Sequence, residues 1–116
     1  MVQLTMRLTA TSGRAHQLVA ALHTRMRRTQ RQSGCSEAHI AADVDEADAF
    51  WYFENWENTQ TLDDELRTDR FSQLLALMET SARPPLLEFR VIAETRGLEY
   101  VRAVREASNS NELGVT

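Results

Sequence analysis

The stretch Ala49–Phe71 constrains the fold more than any other part of the chain. It begins with four consecutive aromatic residues, Phe50 to Phe53, and continues into a polar, helix-like segment. Because alternate side chains of a strand face opposite sides, one face carries Phe50, Tyr52, Glu54 and Trp56, and the other carries Ala49, Trp51, Phe53 and Asn55. Large apolar groups on both faces predict that both are covered, one by the chain's own helices and the other by a second copy of the protein.

Apolar periodicity predicts the elements that precede this strand. Val2–Ala10 alternates apolar and polar residues, as a half-buried strand does. Arg14–Gln32 carries an apolar stripe at helical spacing and ends before Gly34. We assign four arginines to the last turns of this helix, where cations complement the helix dipole: Arg25, Arg27, Arg28 and Arg31. The segment Ser36–Asp43 has a weaker strand pattern, and we expect it to pair with the aromatic strand as a hairpin.

The second half of the domain repeats the pattern of helix and strand. Two helical segments are expected after the aromatic strand, the first capped by Asn58 or Thr59 and the second starting near Thr68. Pro84 and Pro85 block further helix and precede a last strand, Leu86–Glu94. The order β-α-β-β-α-β predicts a ferredoxin-like α+β fold over residues 1–94.

Residues 95–116 form an extension beyond this domain. Leu98, Val101 and Val104 are spaced to lie on one side of a helix over Gly97–Ala107. Ser108–Thr116 is polar and is predicted to be a mobile tail. The sequence leaves open whether the helix lies on its own domain or on a partner.

Composition excludes several classes of function. The net charge of -4 gives no general attraction to nucleic acid or to an anionic membrane. The single cysteine, Cys35, excludes an internal disulfide and fits a reducing compartment. The chain has no run of about 18 apolar residues and no signal-peptide pattern at its start. We therefore expect a cytoplasmic protein with neither nucleic-acid nor membrane partners.

The aromatic stretch also carries a family resemblance. Its motif is Glu54-x-Trp56-x-Asn58, followed by Leu62, Leu66 and Thr68-Asp69-x-Phe71. This motif, with Gly13 and Cys35 at positions where glycine and cysteine are common, resembles the antibiotic biosynthesis monooxygenase domains over about Val2–Glu94. The resemblance implies a dimeric α+β barrel, a homodimer, and oxygenation of a quinol-like or polyketide-like aromatic with no cofactor and no metal. In such chemistry the deprotonated substrate itself reduces O₂.

The chain departs from the family at functional positions. Many of these domains have a His-Leu pair after the tryptophan motif, and Glu65-Leu66 stands there in this sequence. The haem-degrading relatives use an asparagine, a tryptophan and a ligating histidine, where the resemblance places Met6, Glu65 and Leu75. We therefore do not expect haem to be a substrate. Two further hypotheses remain open: a non-catalytic dimeric barrel that binds a small ligand, and an isomerase or lyase acting on a small carbonyl compound.

Five residues are candidates for a functional site. Tyr52, Glu54 and His39 are the catalytic candidates, and Trp56 and Arg90 are the substrate-binding ones. Glu54 is the best-placed carboxylate for a base, unless it only pairs with Arg90. Trp56 offers a flat wall for an aromatic ligand, although a core role for Trp56 and Tyr52 is equally open. His39 is an alternative base or a polar residue of the dimer face, expected by parity on the same strand face as Cys35. No flavin, nicotinamide or phosphate-loop signature occurs.

Overall fold

A computed structural model describes the backbone of residues 1–115 and the side chains of residues 1–108. Its elements are β1 (Val2–Thr9), α1 (Ala15–Gln30), β2 (Cys35–Ala42), β3 (Ala49–Trp56), α2 (Thr59–Leu66), α3 (Asp69–Glu79), β4 (Leu86–Val91) and α4 (Leu98–Val115). The predicted ferredoxin-like order is confirmed, with the second helical region divided into α2 and α3. None of the helices in this described range is long and apolar enough to cross a membrane.

The four strands form one antiparallel sheet in the order β2-β3-β1-β4. The predicted hairpin of β2 and β3 is confirmed. The register places Met6 of β1 opposite Tyr52 of β3 on one side and opposite Leu87 of β4 on the other. Because β1 and β3 are the two central strands, their side chains form the middle of each sheet face.

One face of the sheet packs against α1 and α3 and forms the core. Its fully buried members alternate along β1, as the period-2 pattern predicts, and meet apolar residues of the two helices. The core residues are Leu4, Met6, Leu8, Ala10, Leu18, Leu22, Tyr52, Phe71 and Leu74. Burial of each large side chain stabilises the fold by about 1.5–3 kcal/mol. A second, smaller cluster joins Val2, Trp56 and Leu62 under α2.

Local signals fix where the helices begin. Gly13 precedes α1 with φ of 79°, a left-handed conformation, and a Cβ there would have open space around it. Glycine is therefore needed for its dihedral angle rather than for its size. Asn58 caps α2 by accepting a hydrogen bond from the Thr61 amide at 2.9 Å. Thr68 caps α3 by accepting one from the Phe71 amide at 3.3 Å. Of the two predicted candidates for the cap of α2, the structure uses Asn58, and the predicted start of the next helix near Thr68 is confirmed.

Gly34 brings the start of β2 close to α2. A Cβ at Gly34 would lie 2.6 Å from the Cβ of Thr61, which is closer than two carbon atoms can approach. The Gly34 carbonyl also accepts a hydrogen bond of 2.9 Å from the Glu57 amide, one residue beyond β3. The absence of a side chain at this position therefore lets α2 lie against the end of the hairpin.

A bulge in β2 corrects one expectation. The register shifts between Cys35, which lies opposite Trp56, and Glu37, which lies opposite Asn55. Cys35 therefore faces the helices, whereas His39 faces the other side, opposite Phe53. The prediction that Cys35 and His39 share a strand face was wrong, because the extra residue of a bulge reverses the alternation of side chains along the strand. Burial, followed by the negative charge of Glu54, raises the pKa of the Cys35 thiol to about 11, which disfavours a reactive thiolate.

The face of the sheet turned away from the helices is partly covered by the chain's own polar side chains. Trp51 and Phe53 stack with ring centroids 6.1 Å apart and both stay half-buried. Arg7 lies over the Trp51 ring and forms an ion pair of 3.2 Å with Asp43, which also accepts the Trp51 indole N–H at 3.0 Å. Coverage of this face by a second copy stays a prediction.

Helix α4 extends away from the sheet. The molecule measures 63 × 35 × 21 Å, and its radius of gyration is 19.0 Å, where about 13 Å is usual for a compact domain of this length. Leu98, Val101 and Val104 are 61%, 46% and 49% exposed. The backbone is helical through Val115, in the segment predicted as a tail. The mobility predicted for Ser108–Thr116 stays a prediction, since the side chains from residue 109 onward lie outside the described part of the chain.

Candidate functional site

A buried carboxylate stands on the core face of β3. Glu54 is 0% exposed and lies between Leu4 of β1 and Ala38 of β2 in the sheet. Both of these neighbours are buried and apolar. An isolated ionised carboxylate is costly in such surroundings, so its hydrogen-bond partners determine what this part of the core can do.

Four donors satisfy the Glu54 carboxylate. Oε2 accepts from Arg25 Nε at 2.8 Å and from the Tyr52 hydroxyl at 2.5 Å. Oε1 accepts from Arg25 Nη2 at 3.1 Å and from the Trp56 indole N–H at 3.0 Å. Arg25 thus binds the carboxylate through two parallel hydrogen bonds, the arrangement that most favours an arginine–carboxylate pair.

The same arginine binds a second buried carboxylate. Arg25 Nη1 donates to Glu65 Oε2 at 2.8 Å, and Glu65 Oε1 accepts from Arg70 Nη2 at 2.8 Å. Arg25 and Glu65 are 6% and 3% exposed, and Arg70, at 37%, reaches the surface. We call Glu54, Arg25, Glu65 and Arg70 the ion network. It has two cations and two anions, so its formal charges cancel.

The helical stripe of α1 places Arg25 in the core. The buried residues of α1 are Leu18, Leu22, Arg25 and Thr29, at helical spacing along one side. The Thr29 hydroxyl is buried as well and donates to the Arg25 carbonyl at 2.8 Å. Sequence reasoning missed the burial of Arg25 because it grouped Arg25 with Arg27 and Arg28, which are exposed. The spacing from Leu18 and Leu22 was the signal that could have identified it.

Burial and the carboxylate set the protonation of the neighbouring groups. Burial, followed by the negative charge of Glu54, raises the pKa of the Tyr52 hydroxyl far above its ordinary value. Tyr52 therefore keeps its proton and acts as a donor. For Arg25, burial lowers the pKa, but the hydrogen bonds and charge of Glu54 outweigh burial, and the net pKa is raised. Arg25 stays a cation.

The ion network reaches a cleft between α1 and α3. The cleft has a volume of about 530 Å³, within the range of small-molecule sites. Its apolar lining consists of Ala21, Leu74, Ala76 and Leu77, and its cationic lining of Arg25, Arg28 and Arg70. An apolar cleft with a few charged groups can hold a flat aromatic ligand and orient its polar substituents.

The structure brings three of the five predicted site residues together. Tyr52, Glu54 and Trp56 lie on one strand face and share hydrogen bonds, as the strand pattern predicts. Glu54 already accepts two hydrogen bonds at each oxygen and is 0% exposed. The geometry therefore gives Glu54 the role of holding Arg25 and gives a ligand no contact with its carboxylate.

The other two predicted residues lie on the opposite face of the sheet. Arg90 lies opposite Gln3, is 63% exposed and pairs with Glu88 at 2.8 Å. The alternative in which Glu54 pairs with Arg90 was wrong, because the register of β4 turns Arg90 away from the helices. His39 is also exposed, with Nε2 3.3 Å from the Glu37 carboxylate.

Trp56 borders a different cavity from the large cleft. Its side chain is 2% exposed and packs with Val2 and Leu62. A smaller cavity of about 180 Å³ lies next to it, lined also by Gly34 and Glu65. Among the described residues, no three histidine, cysteine or acidic side chains converge to hold a metal ion.

Comparison with known proteins places the chain in a family. The profile of the antibiotic biosynthesis monooxygenase family matches residues 1–77, about two thirds of the chain. The chain therefore belongs to the antibiotic biosynthesis monooxygenase family. No curated protein matches the sequence significantly.

Solved structures share the fold at low sequence identity. A candidate antibiotic biosynthesis monooxygenase from Deinococcus radiodurans has 19% identity and a TM-score of 0.74, covering 84% of this chain and 97% of its own. Rv0793 from Mycobacterium tuberculosis has 16% identity and a TM-score of 0.71, covering 83% and 98%. SnoaB, a cofactor-independent oxygenase from Streptomyces nogalater, has 14% identity and a TM-score of 0.69, covering 81% and 94%. These similarities confirm the fold.

The ion network predicts that removing the charge of Glu65 destabilises the fold far more than removing the charge of its neighbour Asp64. Glu65→Gln removes the charge that faces both Arg25 and Arg70, and loss of one partner from a buried ion pair typically costs about 3–5 kcal/mol. Asp64→Asn is the control, since Asp64 is exposed and its pair with Arg67 is a surface pair, which contributes about 1 kcal/mol at most. The free energy of unfolding in urea measures both, and equal effects would contradict the assigned network.

Proposed function

We propose that the protein is a monooxygenase that oxidises a quinol-like or polyketide-like aromatic without flavin or metal, and that the substrate lies in the cleft between α1 and α3. Family membership and the similarity to SnoaB support the reaction class. The observation that carries the choice of site is the lining of this cleft, where apolar residues lie beside three arginines, Arg25, Arg28 and Arg70.

Arg25 is suited to stabilise the anion of a phenolic substrate. A cation within about 4–6 Å favours ionisation of a hydroxyl. The cleft opens to solvent between α1 and α3, so water can take the released proton. Arg25, together with Arg28 and Arg70, then stabilises the negative charge that the ring acquires, as positioned donors do in other enzymes that stabilise anions.

The oxidation needs no external reductant. The substrate anion transfers one electron to O₂, and the resulting radical and superoxide combine to form a C–O bond. Cleavage of the O–O bond leaves one oxygen atom in the product. The other oxygen atom leaves as water with two hydrogen atoms that the substrate gives up, so electrons and atoms balance within the substrate and O₂.

Tyr52 and Glu54 act in this proposal as positioning residues. Both hydrogen-bond within the ion network, and through it they fix the guanidinium of Arg25. Trp56 supports the same carboxylate from the other side. His39 and Arg90 face away from the cleft, and they join a site only if a second copy of the chain builds one on that face.

A ligand-binding protein without turnover is the second candidate. The observation that favours it is Glu65, which stands where many relatives have a histidine and is engaged by two arginines. A carboxylate in two ion pairs is poorly placed to move a proton. The same cleft and the same arginines would then only bind the aromatic.

We also propose that two copies associate through the outer face of the sheet, in the cytoplasm. In a single chain, Trp51 and Phe53 are only half-buried on this face. Packing of two sheets face to face would cover both side chains. The apolar side of α4 is exposed in a single chain as well. The single Cys35 agrees with a reducing compartment.

Oxygen uptake tests the reaction. With a panel of hydroquinones and anthrones, we expect protein-dependent O₂ consumption of one molecule per substrate oxidised, unchanged by EDTA and by omission of flavin. Saturable binding of the panel without O₂ consumption would favour the second candidate.

A matched pair of variants tests the location of the site. Ala76 lines the cleft and Ala20 does not, and both are exposed alanines on helices. Ala76→Phe should fill part of the cleft and raise KM by about tenfold or more, whereas Ala20→Phe should leave KM unchanged. Equal effects of the two variants would place the site elsewhere.

The dimer is tested by sedimentation at micromolar concentration. We expect twice the 13.2 kDa mass of one chain. Phe53→Lys introduces a charge at the middle of the outer face, and should shift the equilibrium to monomer because a buried unpaired charge is costly. Val44→Lys, at a 97% exposed position, should remain dimeric. A monomer at every concentration would contradict the proposed association.

A further inference from the structure

The cleft between α1 and α3 contains more positive than negative charge. Arg25, Arg28 and Arg70 line it, whereas the carboxylates that form ion pairs with these arginines are Glu54 and Glu65. Three cations facing two anions leave one positive charge. The protein as a whole has a net charge of -4, so this local excess is opposite in sign to the rest of the molecule.

The excess charge resides on Arg28. Its guanidinium Nη1 donates to the Gln73 Oε1 at 2.7 Å, a neutral acceptor on the facing helix. Among the side chains that the structure describes, no carboxylate lies within 4 Å of the Arg28 guanidinium. The contact with Gln73 holds Arg28 across the cleft without neutralising it.

Arg70 adds a donor that has no acceptor. Its Nη2 binds Glu65, but its Nε is buried and has no hydrogen-bond partner among the described residues. That nitrogen is closed to solvent, so a ligand in the cleft meets Arg70 through the exposed part of its guanidinium.

From these observations we propose that the ligand is an aromatic compound that carries a carboxylate group, and that Arg28 and Arg70 bind this carboxylate. The ring lies against the apolar lining of Leu74, Ala76 and Leu77. A single negative charge balances the cleft, and a planar carboxylate matches the guanidinium fork. The inference rests on the proposed function for the aromatic nature of the ligand and specifies its charged substituent.

Calorimetric titration with two matched ligands tests the inference. The probes are 9,10-anthraquinone-2-carboxylate and the uncharged 9,10-anthraquinone-2-carboxamide, which share one ring system. At pH 7 and low salt, the carboxylate should bind the unmodified protein about tenfold more tightly than the amide. Raising the salt concentration should reduce this difference, because it screens the exposed charge of Arg28.

Adjacent arginines of α1 provide the matched variants. Arg28→Gln should bring the affinity for the carboxylate close to that for the amide. Arg28→Lys should retain part of the preference, since lysine keeps the charge but loses the planar fork. Arg27→Gln removes the same charge from an exposed neighbour that does not line the cleft, and it should leave the preference unchanged.

Three results would overturn the inference: equal affinities of the parent for acid and amide, equal losses in Arg27→Gln and Arg28→Gln, or no measurable binding of either probe. The measured quantity is binding affinity, which does not depend on turnover. If no quinol supports O₂ consumption but the carboxylate preference depends on Arg28, the monooxygenase proposal fails and the carboxylate site stands.

Discussion

The pairing of Glu54 with Arg25 is the interaction on which the interior of this protein depends. A carboxylate that is 0% exposed in the central part of the sheet requires a cation and further donors. Arg25 supplies two hydrogen bonds, and Tyr52 and Trp56 supply one each. The aromatic residues that first suggest a hydrophobic strand are therefore also polar donors aimed at one acceptor.

The ion network ties four elements together with one side chain from each. Glu54 comes from β3, Arg25 from α1, Glu65 from α2 and Arg70 from α3. Such a network adds little net stability, because desolvation offsets most of the attraction between charges. Its contribution is geometric: it fixes α1 relative to α3 and so sets the walls of the cleft. The guanidinium that organises the core also lies in the wall of the cleft.

Much of this arrangement follows from local patterns in the sequence. The common face of Tyr52, Glu54 and Trp56 follows from the two-residue period of a strand, and the caps Asn58 and Thr68 from side-chain chemistry at helix starts. These features depend on neighbouring residues alone, which is why they are predictable.

The partner of Glu54 could not be predicted in this way. The spacing of Arg25 from Leu18 and Leu22 indicates that it faces inward. Its acceptors on β3 and α2 are distant in sequence, so the α1 pattern does not identify them. Arg90 was the wrong choice because alternation within β4 does not say which of its faces meets the helices; that depends on its register with β1. The bulge after Cys35 could not be predicted for a related reason: it is a property of the pairing of β2 with β3, and it places Cys35 and His39 on opposite faces of the sheet.

A double-mutant cycle on Arg25 and Glu54 tests the central claim most directly. Arg25→Met and Glu54→Leu are made singly and together, and the free energy of unfolding in urea is measured for each protein. If the two groups satisfy each other in the core, each single change should be strongly destabilising, and the double variant should be more stable than their sum predicts by about 2 kcal/mol or more. Additive effects, within about 0.5 kcal/mol, would contradict the claim that Glu54 serves to hold Arg25.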